Sequence, residues 1–202
     1  MSTLQYAAFK SRPFYGTLKP VSAVAHLVVA EGEGAVAVQD LVAAAPADFL
    51  ASATLVYAEG SGGQKNTDDL RKLGFARFHG SATAHAALPR VQGALDRLRM
   101  GTQIYLSGSE TALSLFVKAC ADAGQDYQGL QTEHRGSLAR RMQCVHCKGI
   151  TEDVTTQPAQ CAHCGLLLLV RDHYSRRIGA FQGVNINAED PSDVPEKEEA
   201  FR

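Results

Sequence analysis

Cys144-Val145-His146-Cys147 and Cys161-Ala162-His163-Cys164-Gly165 are two Cys-x-x-Cys turns separated by the 13 residues Lys148 to Gln160. A turn of this kind aims two thiolates at one point, and two such turns on neighbouring hairpins complete a tetrahedron of sulfur around a metal ion. Four soft ligands leave no open coordination position, so the expected site is structural rather than a Lewis acid. Zinc is the expected metal at Cys144, Cys147, Cys161 and Cys164. Iron in a rubredoxin-like site is the alternative, because the same sulfur set accepts either ion. A redox dithiol would use one pair and leave the other unexplained. His146 and His163 precede the last cysteine of each turn and could substitute as ligands, but four cysteines make that unnecessary. Metal binding should supply much of the folding free energy of so small a module, on the order of 10 kcal/mol.

The elements before the cysteines suggest a different architecture. From Val24 to about His134, short β-rich apolar segments alternate with helical stretches, as in a parallel sheet covered by helices. Ala25 to Ala30 reads as a buried strand, Ala35 to Ala45 as a helix closed by Pro46, and Thr54 to Tyr57 as the next strand. Gly60 to Gly63 reads as a loop, Thr67 to Leu73 as a short helix, and Phe75 to His79 as a return to the sheet. Pro89 is expected at a helix start and Thr102 to Leu106 as a strand, followed by a helix from Glu110 to Ala123 capped by Gly124. Cys120 falls on the apolar stripe of that helix and is expected in the core. The segment Val29-Ala30-Glu31-Gly32-Glu33-Gly34-Ala35 lies where a dinucleotide fold holds a pyrophosphate. Glu31 and Glu33 put two carboxylates there, which repel an anionic ligand and favour the helix N-terminus themselves.

The 202 residues carry 20 Lys+Arg against 21 Asp+Glu, so no surface-wide commitment to nucleic acid or anionic lipid is implied. The longest aliphatic run, Leu166 to Val170, is far too short to span a bilayer, and Met1 to Gly16 do not show the basic start and apolar centre expected of a secretion signal. A cytoplasmic protein without membrane contact is expected. Residues 185–202 hold six acids, two bases and two prolines, which suggests a disordered acidic tail. The expected organisation is an N-terminal extension 1–20, an α/β domain 21–136, a zinc ribbon 137–184 and the tail 185–202.

Two resemblances sharpen this picture. Gly101-Thr102-Gln103-Ile104-Tyr105-Leu106-Ser107-Gly108-Ser109-Glu110 resembles the end of the pyridine-nucleotide domain of ferredoxin reductases. That family usually places Cys-Gly-Pro after the strand, where this chain has Ser107-Gly108-Ser109. The resemblance therefore implies a Rossmann-like domain that has lost its reductase chemistry. The stretch Gln131 to Cys147, the second cysteine turn and His173-Tyr174-Ser175-Arg176-Arg177 are together similar to the A-type subunit family of bacterial dimethylamine monooxygenase. This resemblance spans most of residues 20 to 184. It implies a multicomponent system that uses O2 and NADPH to demethylate dimethylamine to methylamine and formaldehyde. The partners would be a haem-bearing oxygenase subunit plus a flavin and iron-sulfur reductase subunit. Haem, flavin and iron-sulfur cluster belong to those partners, and this chain receives no catalytic or cofactor-binding residue beyond its four metal ligands.

The expected role is a non-haem subunit that stabilises or orients the oxygenase, with a rubredoxin-like electron carrier in the same complex as alternative. A nucleic-acid-binding ribbon is the third reading, resting on Arg135, Arg140, Arg141, Arg171, Arg176 and Arg177. The turns contain no aromatic residue on which bases could stack. Arg140, Arg141 and Lys148 beside the first turn, with His173, Tyr174, Arg176, Arg177 and Phe181 after the second, are expected to form one docking face for a partner subunit.

Overall fold

The computed structural model describes residues 11–190, 192 and 194–202. Five short strands form the first unit, with the β-branched and aliphatic residues concentrated in β1 and β2: β1 (Ala25–Glu31), β2 (Ala53–Ala58), β3 (Arg77–Ser81), β4 (Thr102–Gly108) and β5 (Leu130–His134). All pairs are parallel and the strand order is β3-β2-β1-β4-β5. Parallel pairing requires crossovers, supplied by helices α1 (Gly34–Ala44), α2 (Gly63–Lys72), α3 (Ala84–Leu95) and α4 (Glu110–Asp122).

Because neighbouring side chains in a strand point to opposite faces, Val28 and Val29 serve two separate cores. Val29, Leu106, Val91, Leu113 and Phe116 pack on the face carrying α3 and α4. Val28, Leu41, Tyr57, Leu70 and Tyr105 pack on the face carrying α1 and α2. Cys120 is fully buried in the first of these cores, and burial pushes its thiol up to about 12.

Three boundaries depart from the periodicity. Spacing puts Pro89 at a helix start, yet α3 begins at Ala84, capped by Thr83, whose Oγ1 accepts from the Ala86 N–H at 3.1 Å. Pro89 sits inside the helix, with no N–H to offer the His85 carbonyl. Helix α2 begins at Gly63 rather than Thr67, because Gln64–Asp68 and Lys65–Asp69 side-chain pairs, at 3.0 and 2.7 Å, hold a first turn that the glycines alone would not. Strand β3 runs two residues later than expected, and Phe75 is buried ahead of it as a core residue.

The second unit is an all-β ribbon: β6 (Arg140–Cys144), β7 (Ile150–Val154), β8 (Thr156–Gln157), β9 (Ala159–Gln160), β10 (Leu167–Ser175), β11 (Ala180–Asn185) and β12 (Glu198–Glu199). Its main sheet has the order β7-β6-β11-β10-β9, with β6 and β11 parallel and the other pairs antiparallel. Met142, Leu168, Val170, Tyr174 and Phe181 form its small core.

Within the expected tail 185–202, the last residues contact the ribbon; Pro191 and Asp193 lie outside the described residues. Glu198 and Glu199 pair with Gln157 and Thr156, and the backbone N–H groups of Ala200 and Phe201 donate to the Thr155 carbonyl. Phe201 covers the Arg140 guanidinium with 4.0 Å between its ring centroid and Cζ. Average composition accounts for the acids, which are exposed among the described residues, and misses the one aromatic residue, Phe201.

Residues 11–19 of the expected extension join the two units; residues 1–10 lie outside the described residues. Ser11 exchanges backbone hydrogen bonds with Asp172 and Tyr174 of β10, while Gly16 and Leu18 bond to Thr132 and Glu133 of β5. At the junction Tyr15 donates to Glu110 at 2.7 Å. Burial raises the Glu110 carboxyl above its ordinary pKa, against the hydrogen bond from Tyr15 that favours the charged form. Among the described residues, no helix is long and apolar enough to cross a membrane.

Candidate metal centre

The two cysteine turns share one backbone design. In each, the N–H of the first cysteine donates to the carbonyl five residues on, Cys144 to Gly149 and Cys161 to Leu166. The carbonyl of the first cysteine then accepts from the residue after the second, Lys148 or Gly165. That last residue turns the chain through the left-handed region, at φ 62° for Lys148 and 76° for Gly165. Glycine takes this conformation without strain, whereas an L side chain carries a cost of roughly 1–2 kcal/mol. Lys148→Gly is therefore expected to raise ribbon stability by about 1 kcal/mol, as read by denaturation of the metal-loaded protein. A loss of stability would show that the Lys148 side chain, whose Nζ donates to the Val145 carbonyl at 2.6 Å, outweighs the backbone strain.

The four sulfurs converge within 4.8 Å of one another. Cys144 Sγ lies 3.8 Å from Cys164 Sγ, and Cys147 Sγ lies 3.6 Å from Cys161 Sγ. A tetrahedron of sulfurs at roughly 2.3 Å from a zinc ion has edges of about 3.8 Å, so the donor set fits a tetrahedral metal. None of these cysteines is in a disulfide. Cys144 and Cys161 are buried, whereas Cys147 and Cys164 lie toward solvent.

Without a cation the sulfurs do not ionise alike. Burial opposes the Cys161 thiolate, yet the N–H groups of Cys164 and His163 and the neighbouring thiols outweigh it and bring that thiol down to about 6. The Leu166 N–H favours the Cys164 thiolate, but desolvation and the three surrounding sulfurs prevail and push it up to about 12. One thiolate at this spacing suppresses the next, and a dication removes the conflict.

Around the sulfurs are contacts that the spacing of the cysteines does not announce. The Gly149 N–H donates to Cys147 Sγ at 3.4 Å. His163 Nε2 is 2.7 Å from the Ile150 carbonyl, and the Ala162 N–H reaches Thr151 Oγ1 at 3.1 Å, so the second turn is tied to strand β7 of the first hairpin. His163 is thus a brace between hairpins, and its ring lies where a side chain at Gly149 would need to be. His146 is exposed.

The expected docking face is not assembled. Arg140 is buried, paired with Asp172 at 2.7 Å and stacked between Phe181 and Phe201. Arg141 is buried as well, held by Glu152 at 2.8 Å and donating to the Gly179 carbonyl at 2.7 Å. Tyr174 and Phe181 belong to the ribbon core. Arg176 lies over the Tyr127 ring at 4.0 Å and bridges to the α/β unit. The sequence shows cations and aromatics but conceals their partners: Asp172 and Glu152 lie 32 and 11 residues away from the arginines they neutralise. Carboxylates likewise occupy three of the six cations on which a nucleic-acid reading rests, Arg140, Arg141 and Arg135, the last paired with Glu133 and Asp40.

At the C-terminal crest of the parallel sheet, the position of a Rossmann-type ligand is filled from within. Glu31 Oε2 accepts from the N–H and Oγ of Ser109, at 3.1 and 2.9 Å, and so closes the N-terminus of α4 rather than α1. Gly34 sits directly on β4: a Cβ there would lie 2.7 Å from the Ser107 carbonyl carbon, and Ser107 Oγ donates to the Gly34 carbonyl at 3.0 Å. The Glu31 carboxylate thus holds Ser109, the N-cap residue of α4, and Ser107 is fully buried as a clamp.

Fold and site together define a class: a Rossmann-like parallel α/β domain joined to a four-cysteine ribbon able to hold a metal ion. The chain belongs to the family described as dimethylamine monooxygenase subunit DmmA-like, with residues 7–130 matching its N-terminal domain and residues 141–184 its C-terminal domain. It is 26% identical over 151 residues to the heme-dependent oxidative N-demethylase delta subunit of Ectopseudomonas mendocina (strain ymp), a match covering 70% of this chain and 83% of the relative. No solved structure matches it.

Proposed function

We propose that this chain is the non-haem, metal-binding subunit of a multicomponent dimethylamine monooxygenase and that it stabilises or orients the haem-bearing oxygenase subunit. The overall reaction would convert dimethylamine, O2, NADPH and a proton to methylamine, formaldehyde, NADP+ and water. Haem, flavin and iron-sulfur cluster would reside on partner subunits. Cys144, Cys147, Cys161 and Cys164 would hold one zinc ion, whose contribution is to fix the fold of the ribbon.

The observation that carries this reading is the family match across both domains. The filled crest supports a non-catalytic part: with Glu31 committed to Ser109 and Gly34 seated on Ser107, a dinucleotide phosphate would meet a carboxylate instead of free N–H groups. A second reading, iron in the sulfur site and electron transfer through this chain, is favoured by the solvent-facing positions of Cys147 and Cys164.

Reconstitution tests the proposal. Dimethylamine oxidation by the haem-bearing and reductase components should fall severalfold when this chain is omitted and return when it is added. Calorimetry should give no micromolar NADPH binding to the isolated chain. Full activity without the chain would contradict the subunit role, and tight NADPH binding would return the domain to the active reductases.

A further inference from the structure

The end of the α/β sheet opposite the crest carries charge without an ion-pair partner among the described residues. A cleft of about 680 Å³ opens there along the starts of β1, β2 and β3 and the last turns of α3. Arg77, Arg90, Arg97 and Arg99 line it, with His79 beside them, and no aspartate or glutamate is among the lining residues. All four arginines are exposed, and none makes an ion pair among the described residues. This contrasts with the ribbon, where Arg140 and Arg141 are each neutralised by a carboxylate. Directly at the rim stand two exposed apolar side chains, Met100 at 97% and Val24 at 63% exposure. Val24 lies beside Gly101, the residue after Met100, with its N–H donating to the Gly101 carbonyl at 3.0 Å.

We infer that this cleft, with Met100 and Val24 as its apolar anchor, is a docking surface for an acidic face of a partner protein. Arginine and methionine are the residue types enriched where proteins meet, and a single-sign patch steers an oppositely charged partner into register. A small phosphate ligand is the poorer fit. Helix α3 ends at this rim, so it turns carbonyl oxygens rather than N–H groups toward the cleft. The guanidiniums stand outward on exposed side chains, where a broad acidic surface can reach several at once. Such a surface would carry aspartates and glutamates around a socket for the methionine. In a subunit of a multicomponent oxygenase, a reading on which this inference rests, the partner is the haem-bearing or the reductase component.

The test compares wild type with an Arg90→Glu, Arg97→Glu, Arg99→Glu triple variant and with Met100→Asp. Binding to each purified component is measured at low and high ionic strength, with melting temperature and metal content as folding controls. Wild type should bind one component, and binding should weaken as salt rises. The triple variant should bind at least about tenfold more weakly and Met100→Asp severalfold more weakly, both with wild-type melting and metal content. Unchanged affinity in the triple variant, or salt-independent binding by wild type, would overturn the inference and leave the subunit role intact. Failure of wild type to bind either component would overturn both. Salt-dependent binding of wild type to duplex DNA, lost in the triple variant and with no component bound, would reassign the cleft to nucleic acid and overturn the inference as well.

Discussion

Cys161→Ser is expected to empty the metal site and unfold the ribbon while leaving the parallel sheet intact. Besides the sulfur cluster, the two hairpins are joined by β11, which pairs with β6 and β10, by the contacts of His163 to Ile150 and Ala162 to Thr151, and by a core of a few side chains around Met142, Leu168 and Phe181. A core of that size cannot offset the ordering of some 45 residues at roughly 1–2 kcal/mol each for the backbone alone, and metal coordination on the order of 10 kcal/mol makes up much of the difference. Amide hydrogen exchange reads the result directly. Residues 140–185 should lose protection in the variant, and in wild type treated with a chelator, while Val28, Val29 and Leu106 in the sheet core keep theirs. Retained ribbon protection in a metal-free chain would mean that the hairpins hold without the ion.

Arg140→Ala is expected to cost about 3 kcal/mol, the second-largest effect. The guanidinium is buried between two aromatic rings and pairs with Asp172, so truncation leaves a partly buried carboxylate without its strong partner and a gap between Phe181 and Phe201. Burial pulls the Arg140 pKa below its ordinary value, and the bond to Asp172 opposes that shift. Arg140→Met should lose less, because methionine refills the space between the rings, and Asp172, 29% exposed, can be met by water and by Arg12 at 3.7 Å. Denaturation of the metal-loaded protein distinguishes the two. An alanine variant within about 1 kcal/mol of wild type, as expected for a surface ion pair, would show that Arg140 contributes no more than an exposed arginine.

The parts of the fold that sequence reveals are those set by local rules. Ala25 to Ala30 and Thr102 to Leu106 are strands because apolar β-formers buried on both faces leave no alternation to confuse, and Cys120 is core because it continues a helical stripe. The cysteines are legible because metal geometry fixes their spacing, and the structure brings all four together. What sequence conceals is pairing at a distance. Arg140 and Arg141 read as exposed basic residues until Asp172 and Glu152 are placed beside them, and the composition of the tail does not announce that Phe201 reaches Arg140. Glu31 is recognised as an obstacle to phosphate, but its hold on the N-cap of α4 depends on Ser109, 78 residues on. Lys148 shows the same blindness at short range: its left-handed backbone is visible only by analogy with Gly165 in the second turn.

On the reading proposed above, the four cysteines hold a structural zinc ion in a subunit that carries no redox centre of its own. Elemental analysis of the purified chain combined with X-ray absorption at the metal edge addresses it most directly. The expected result is about one zinc per chain, bound by four sulfurs at roughly 2.3 Å, with no visible absorption band. Iron in the site with a visible band in the oxidised protein would contradict it and make the chain an electron carrier. A folded chain without any metal would remove the centre altogether.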